Sequence, residues 1–254
     1  MKRVCLFTAI TYERGTAARA KITPLPAFNH YNWTCEAYLF TNDPSRVGKV
    51  EGWNIIKIDD AICKKYHTRK IARYIKTHSH CLLPECDVSV WIDANIILLP
   101  PFIAQVNSFD NSSFDLQSII HPKRKYTYDE INICQSHKLD PNPINFTKQK
   151  NYYIKEHFPD HRGLLETRIV FRKTTKLIEC FNELWWNQID HFTVRDQCSV
   201  MFALWKLSIP FNAIPYSELK KCMKIVTPPA ATTRRYGTVQ KTIVRQYRRR
   251  YYNF

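Results

Sequence analysis

The sequence predicts an α/β protein whose strands gather their carboxyl ends at one site. Short apolar, β-branched runs alternate with longer stretches of helical periodicity, the pattern of a sheet covered by helices. Three early runs, residues 3–10, 36–40 and 53–58, end in polar turns. The run 88–99 reaches Asp93, turns over Ala94-Asn95 and resumes as a second apolar stretch. A buried strand has little use for Asp, whereas open α/β sheets bind ligands at the carboxyl ends of their strands.

Taken in order, residues 3–10 form the first strand and 11–26 a polar, proline-punctuated loop. A nucleotide base can lie against that strand end, which makes Thr8 a donor-contact candidate. Residues 36–40 form a second strand ending in Thr41-Asn42-Asp43-Pro44, a turn signal. Asp43 reads equally as turn chemistry and as a donor contact. Residues 53–58 end in Asp59-Asp60, which read as a helix cap. Residues 61–82 space Ile62, Tyr66, Ile71, Tyr74, Ile75, His78 and Leu82 as one helix of about six turns. Lys65, Arg69, Arg73 and Lys76, with Lys70 beside them, form an adjacent cationic stripe. It is either a solvated face or a surface for a diphosphate, so Arg69, Lys70 and Arg73 are donor-binding candidates.

Pro100-Pro101 ends the central run, and 102–109 reads as a short helix. Residues 115–120 form a strand ending at His121, which is either a structural residue or a substrate contact. Residues 126–137 read as helix, and 144–158 as helical or mixed. Residues 163–172 form a Gly-initiated strand in which Leu165, Arg168, Val170 and Phe171 do not alternate cleanly. Glu166 at its start must be paired, exposed or in a site. Residues 175–187 form an amphipathic helix with Leu177, Phe181, Leu184, Trp185 and Gln188 on one face. Thr193 and Asp196 are spaced as a capping box for the apolar helix 198–207, and Asp196 and Gln197 can still face a ligand there. Residues 211–214 form the last strand.

Composition narrows the function. The 254 residues, 44% hydrophobic and 13% aromatic, suit a globular protein of one large or two small domains. Five glycines and no Gly-rich phosphate loop argue against a Rossmann dinucleotide enzyme or a P-loop NTPase. Ten Lys and Arg and no acid fall between Leu219 and Phe254, leaving +6 of the +16 for the rest. The division expected is therefore a domain over 1–218 and a basic extension over 219–254. A basic body suits an anionic substrate and a basic tail an anionic membrane surface. Nine cysteines without regular spacing, no apolar leader and no membrane-length run predict reduced thiols and a cytoplasmic protein.

Asp93 and Asn95, one residue apart, can both face a hard cation such as Mg²⁺ or Mn²⁺ that holds nucleotide phosphates. A strand end with an Asx turn is the plain alternative.

The ordered set Lys70, His78, Trp91-Ile92-Asp93-Ala94-Asn95, His121-Pro122, Arg124, Gly163-Leu164-Leu165-Glu166-Thr167, Arg172, Trp185-Trp186 and Arg195-Asp196-Gln197 resembles a family of glycosyltransferase-like domains. The family is found in plants and bacteria, with related enzymes in large DNA viruses of algae. The resemblance covers residues 4–207. It implies a GT-A-like single domain with a central mixed, mostly parallel sheet flanked by helices. It also implies a nucleotide-sugar donor (a UDP-sugar by expectation), a divalent Mn²⁺ or Mg²⁺, and a glycan or glycoprotein acceptor. Asp93 and Asn95 then occupy the Asp-x-Asp metal position, Lys70 and Arg73 lie near the donor, and Glu166 and Asp196 lie at sugar and acceptor. His121, Gln197, Asp43, Arg69 and Thr8 complete the donor contacts. Asn95 departs from the pattern by replacing the second carboxylate, no C-terminal metal ligand is identifiable, and the segment after Pro229 matches nothing in the family.

The implied reaction is displacement at the anomeric carbon, with Asp196 first and Glu166 second as the base that deprotonates the acceptor. Two other classes stay open. Net charge suggests a nucleic-acid-binding protein or metal-dependent nuclease, disfavoured because the excess charge sits mainly after Leu219. Asn95 suggests an inactive domain that binds sugar nucleotides without turnover.

Overall fold

The computed structural model describes residues 1–13, 25 and 33–226. Most of the loop expected over 11–26, and the basic segment beyond Pro228-Pro229, lie outside the described residues. The strands are β1 (Lys2–Ile10), β2 (Trp33–Thr41), β3 (Asn54–Lys57), β4 (Val88–Ile92), β5 (Ile96–Leu98), β6 (Leu116–Ile120), β7 (Leu165–Lys173), β8 (Phe211–Ile214) and β9 (Met223–Ile225). Seven make one sheet in the order β3-β2-β1-β4-β7-β6-β8, and β5 pairs with β9 apart from it. All neighbours in the large sheet run parallel except at β7, which is antiparallel to both β4 and β6. The carboxyl ends of six strands therefore share an edge with the amino end of β7.

The side-chain period of two splits the apolar runs between two cores. Val4 and Leu6 of β1, Val88, Val90 and Ile92 of β4, and Ile169 and Phe171 of β7 face one layer. Phe7, Trp91 and Val170 face the other. Phe7 and Trp91 meet edge-on at 5.3 Å.

The helices are α1 (Pro44–Val47), α2 (Asp60–Lys65), α3 (Thr68–Thr77), α4 (Ser79–Leu82), α5 (Phe102–Asp110), α6 (Thr127–Ser136), α7 (Ile144–Lys155), α8 (Lys176–His191), α9 (Val200–Lys206) and α10 (Tyr216–Lys220). No helix among the described residues is long and apolar enough to cross a membrane.

The single helix expected over 61–82 is three helices. Tyr66 and His67 are extended between α2 and α3. Tyr66 packs edge-on against Trp186 at 5.3 Å, so a tertiary contact overrides helical spacing there. Asp59 caps α2 as expected, accepting from the Ala61 amide at 2.6 Å. The capping box at 193–196 does not form. Thr193 Oγ1 donates instead to Gln149 Oε1 at 2.9 Å, Asp196 lies in a 3-10 turn over Asp196–Cys198, and Ser199 precedes α9. On α8, Leu177 is exposed and Ile178, Asn182, Trp186 and Ile189 join the buried face.

The boundary expected after residue 218 falls inside the fold. Leu219, Cys222 and Met223 are buried with Ile96, Leu98 and Phe102, and β9 pairs antiparallel with β5. Residues 219–226, grouped with the tail by their charge, belong to the body because their apolar positions complete its core.

Candidate active site

Three carboxylates meet at the shared sheet edge. Asp93 follows β4. Its amide donates to the Arg168 carbonyl at 2.8 Å, and the Ile96 amide donates back to the Asp93 carbonyl at 2.9 Å, closing a tight turn. Trp91 Nε1 donates to Asp93 Oδ1 at 2.8 Å.

Glu166 arrives through a slip in β7. Ser118 of β6 faces Val170, but the next residue, Ile119, faces Glu166. Ser118 Oγ sits 2.9 Å from the Glu166 carbonyl and 2.8 Å from that of Ile169, filling the gap. A bulge of this kind re-aims side chains, and here it turns Glu166, Thr167 and Arg168 to a cavity of ≈ 640 Å³. Gln197 Nε2 donates to Glu166 Oε1 at 2.8 Å, and Arg168 Nε lies 3.4 Å from the same oxygen. Burial pushes the Glu166 carboxyl above its ordinary value, reinforced by Asp93 and opposed by Arg168.

Asp196 is held from every side. Lys76 pairs with Oδ2, Thr167 Oγ1 donates to the same atom at 2.8 Å, and Arg73 Nε lies 3.1 Å from Oδ1. Burial alone would raise its pKa, but Arg73 and Lys76 hold it well below the usual carboxylate range. Lys76 is 1% exposed. It sits over the rings of Trp91 and Trp185 at 5.4 and 5.7 Å, with its Nζ 4.0 Å from Asp93 Oδ1. Arg172, fully buried, donates to the Lys76 carbonyl at 2.9 Å and fixes the end of α3.

The far wall is basic. Glu130, fully buried on α6, pairs with Arg124 and, at 3.5 Å, with Arg195. Arg195 Nη2 donates to Gln197 Oε1 at 3.0 Å. Burial, then Arg124, push His121 down to about 4, so it is neutral at pH 7. α10 and β9 add Tyr216, Lys220 and Lys224. Seven Lys and Arg line this cavity against three carboxylates.

A second cavity of ≈ 670 Å³ opens at the ends of β1 and β2, lined among others by Tyr12, Asn42, Asp43, Arg46 and His67. Asn42 clasps the Tyr12 backbone, accepting from its amide and donating to its carbonyl, both at 2.9 Å. The Arg46 guanidinium lies 3.9 Å over the Tyr12 ring. A fixed amide beside Tyr12, beyond the carboxyl ends of parallel strands, suits a nucleobase and ribose.

The expected residues divide accordingly. Arg73, Asp93, His121, Glu166, Asp196 and Gln197 line the first cavity and Asp43 the second. Four candidates line neither. Thr8 is buried inside β1, its Oγ1 without a partner among the described residues. Arg69 donates to the Leu139 carbonyl at 3.1 Å. Lys70 pairs with Asp190 at 2.7 Å, docking α3 on α8. Asn95 accepts through its backbone carbonyl from the Val226 amide at 2.8 Å. Successive helix positions diverge by about 100°, which is why one cationic stripe serves three destinations.

Of the expected metal pair, Asp93 lines the cavity and Asn95 does not. The Asp93 Oδ1 already accepts from an indole, and an ammonium stands nearby. Among the described residues, the groups of three side chains close enough to share a cation are His80, Cys81 and Glu183, and Glu130, Cys134 and Cys198. Neither includes Asp93, so no three-ligand cation site forms around Asp93 among the described residues, and a Mn²⁺ or Mg²⁺ there would depend on one carboxylate with phosphate and water oxygens.

The model of the TOD1/MUCI70 glycosyltransferase-like domain family matches residues 34–226. The chain belongs to this family. No curated protein matches it. The sheet order and single body are those of a GT-A-like domain, as the family resemblance implied. Within this glycosyltransferase-like domain, the sequence assigned no role to Thr167, Arg168, Lys220 and Lys224 on the first cavity, nor to Tyr12, Asn42 and Arg46 on the second. Thr167 lies in a family motif, Arg168 in a run that does not alternate and Asn42 in the turn after β2; the others depend on a small-sheet pairing and a loop clasp.

Proposed function

We propose that the protein transfers a sugar from a nucleoside-diphosphate donor, a UDP-sugar by preference, to a hydroxyl of a glycan or glycoprotein. The observation that carries the reading is the convergence of Asp93, Glu166 and Asp196 on one cationic cavity beside a base-sized cleft. The nucleoside occupies the cleft of Tyr12, Asn42 and Asp43, and the diphosphate and sugar extend toward Asp93.

Glu166 is the base. Among the described residues its two side-chain contacts both fall on Oε1, and burial raises its affinity for a proton. Oε2 takes the proton of the acceptor hydroxyl as the hydroxyl oxygen bonds to the anomeric carbon. The bond from that carbon to the β-phosphate oxygen breaks, and its electron pair leaves with the nucleoside diphosphate. Attack from the face opposite the leaving group inverts the anomeric centre. Asp196 has both oxygens engaged and holds Lys76 and Arg73 in register; it is a positioning residue.

The test is thermal unfolding with a panel of nucleotide sugars, with and without Mn²⁺, on wild type and Asp93→Ala. A ligand that binds only the folded state raises the midpoint. Stabilisation by one nucleotide class, weakened in Asp93→Ala, is expected. No shift with any donor, alongside a clear shift with DNA or RNA, overturns the reading in favour of nucleic-acid binding.

A further inference from the structure

The site presents a chemical problem. A departing nucleoside diphosphate gains negative charge, and something must neutralise it. Asp93 is the only carboxylate from the Asp93-Ala94-Asn95 turn on the cavity. A dication there would face the Lys76 ammonium, which already lies 4.0 Å from Asp93 Oδ1, in a cavity whose lining carries more cations than carboxylates. Coulomb repulsion at such separations is substantial outside bulk water.

The fold delivers a different cation to the same place. β5 begins at Ile96, three residues past Asp93, and pairs with β9 so that Ile97 stands opposite Lys224. Ile96 stands opposite Ile225, and beyond that pair the Val226 amide donates to the Asn95 carbonyl at 2.8 Å. Lys224 is thereby pinned beside the Asp93 turn and lines the cavity. Lys220 stands one helical turn from Tyr216 on α10, its Nζ 5.5 Å over that ring, and lines the same wall.

We propose that the donor diphosphate is held, and its leaving charge neutralised, by Lys224 with Lys220 and Arg168 rather than by a divalent metal. The inference rests on the donor-binding reading above and concerns how that site handles phosphate. An ammonium bound to phosphate is a strong, charge-assisted contact. Lysines on a paired strand and a packed helix supply it without metal affinity. On this view the charges of Lys220 and Lys224 are site charges and not tail charges.

The experiment is calorimetric titration of the full chain with UDP, GDP, UMP and GMP, in EDTA and in Mn²⁺, for wild type, Lys224→Ala and Lys221→Ala. Lys221 supplies a charge-matched control, because it sits on the same segment, pairs with Glu218 at 2.8 Å and does not line the cavity. The expected result is diphosphate binding unchanged by EDTA, about tenfold weaker in Lys224→Ala and unaltered in Lys221→Ala, with monophosphate binding equal in all three proteins. Binding abolished by EDTA and restored by Mn²⁺, or equal loss in both variants, overturns the metal-free assignment and leaves the transferase reading standing. Absence of nucleotide binding in either buffer overturns the transferase reading itself.

Discussion

Asp196 and Glu166 are both buried carboxylates on one cavity, yet their partners push them in opposite directions. Asp196→Asn removes the counter-charge of Lys76 and Arg73, and breaking a buried pair in this way costs about 3–5 kcal/mol. Denaturant unfolding of Asp196→Asn should show a loss of that order. Because the folded pKa of Asp196 is depressed, its contribution is complete above the unfolded value of about 4 and is lost as pH falls through the lower folded value. The deficit of the variant should therefore persist undiminished from pH 7 to about 5. Glu166 is raised, and as the proposed base it works in its ionised form. Transfer should fall as pH drops through a value above the ordinary glutamate range of about 4.3. A pH–rate profile whose acidic limb lies at or below that range would count against Glu166 as the base. Both acids are visible in the sequence, since an acid beside apolar runs needs a reason. Their ranking is not, because it depends on Lys76 and Arg73 converging on Asp196 from α3, 120 residues away in sequence for the Lys76 contact.

At the scale of elements, the site depends on irregularities. The slip between β6 and β7 aims Glu166 into the cavity, and the missing alternation of Leu165, Arg168, Val170 and Phe171 is its trace in the sequence. The extended residues between α2 and α3 bring His67 to the second cavity, and nothing in the helical spacing of 61–82 signals that break. The 3-10 turn bearing Asp196 and Gln197 is tied to α7 through Thr193, Gln149 and Tyr153, by bonds of 2.9 and 2.8 Å. Thr193→Val keeps the shape and strands the buried Gln149 oxygen, a cost of about 1–3 kcal/mol. A urea midpoint unchanged by this substitution would show that the tie is dispensable. The regular strands were legible to within a few residues, since β1, β4 and β8 are short apolar runs between polar turns. A capping box was legible only as spacing, and the tertiary bond to Gln149 displaced it.

Across the whole molecule, net charge misled at one boundary. Counting Lys and Arg assigned residues 219–226 to a tail, whereas Leu219, Cys222 and Met223 close the core over β5. Fully burying an apolar side chain contributes about 1.5–3 kcal/mol, and a domain is stable by only about 5–15 kcal/mol. A chain ending at residue 218 should therefore unfold at markedly lower temperature than the full chain, or fail to fold; a midpoint within about a degree of the full chain would contradict the packing described. The parallel order β3-β2-β1-β4 puts the two cavities on one edge, which accounts for so many motifs standing at strand ends. That grouping was legible because strand ends and acids coincide along the chain; the basic wall was not, because it is assembled from the β5–β9 pairing and α10. The most direct measurement of the central claim is release of nucleoside diphosphate from a panel of nucleotide sugars by wild type and Glu166→Gln, with unfolding midpoints recorded for both. The account predicts turnover of one nucleotide class by wild type, slowed about 10²–10⁴-fold in a Glu166→Gln protein of similar midpoint. Equal rates in the two proteins, or no release from any donor by folded wild type, would contradict it.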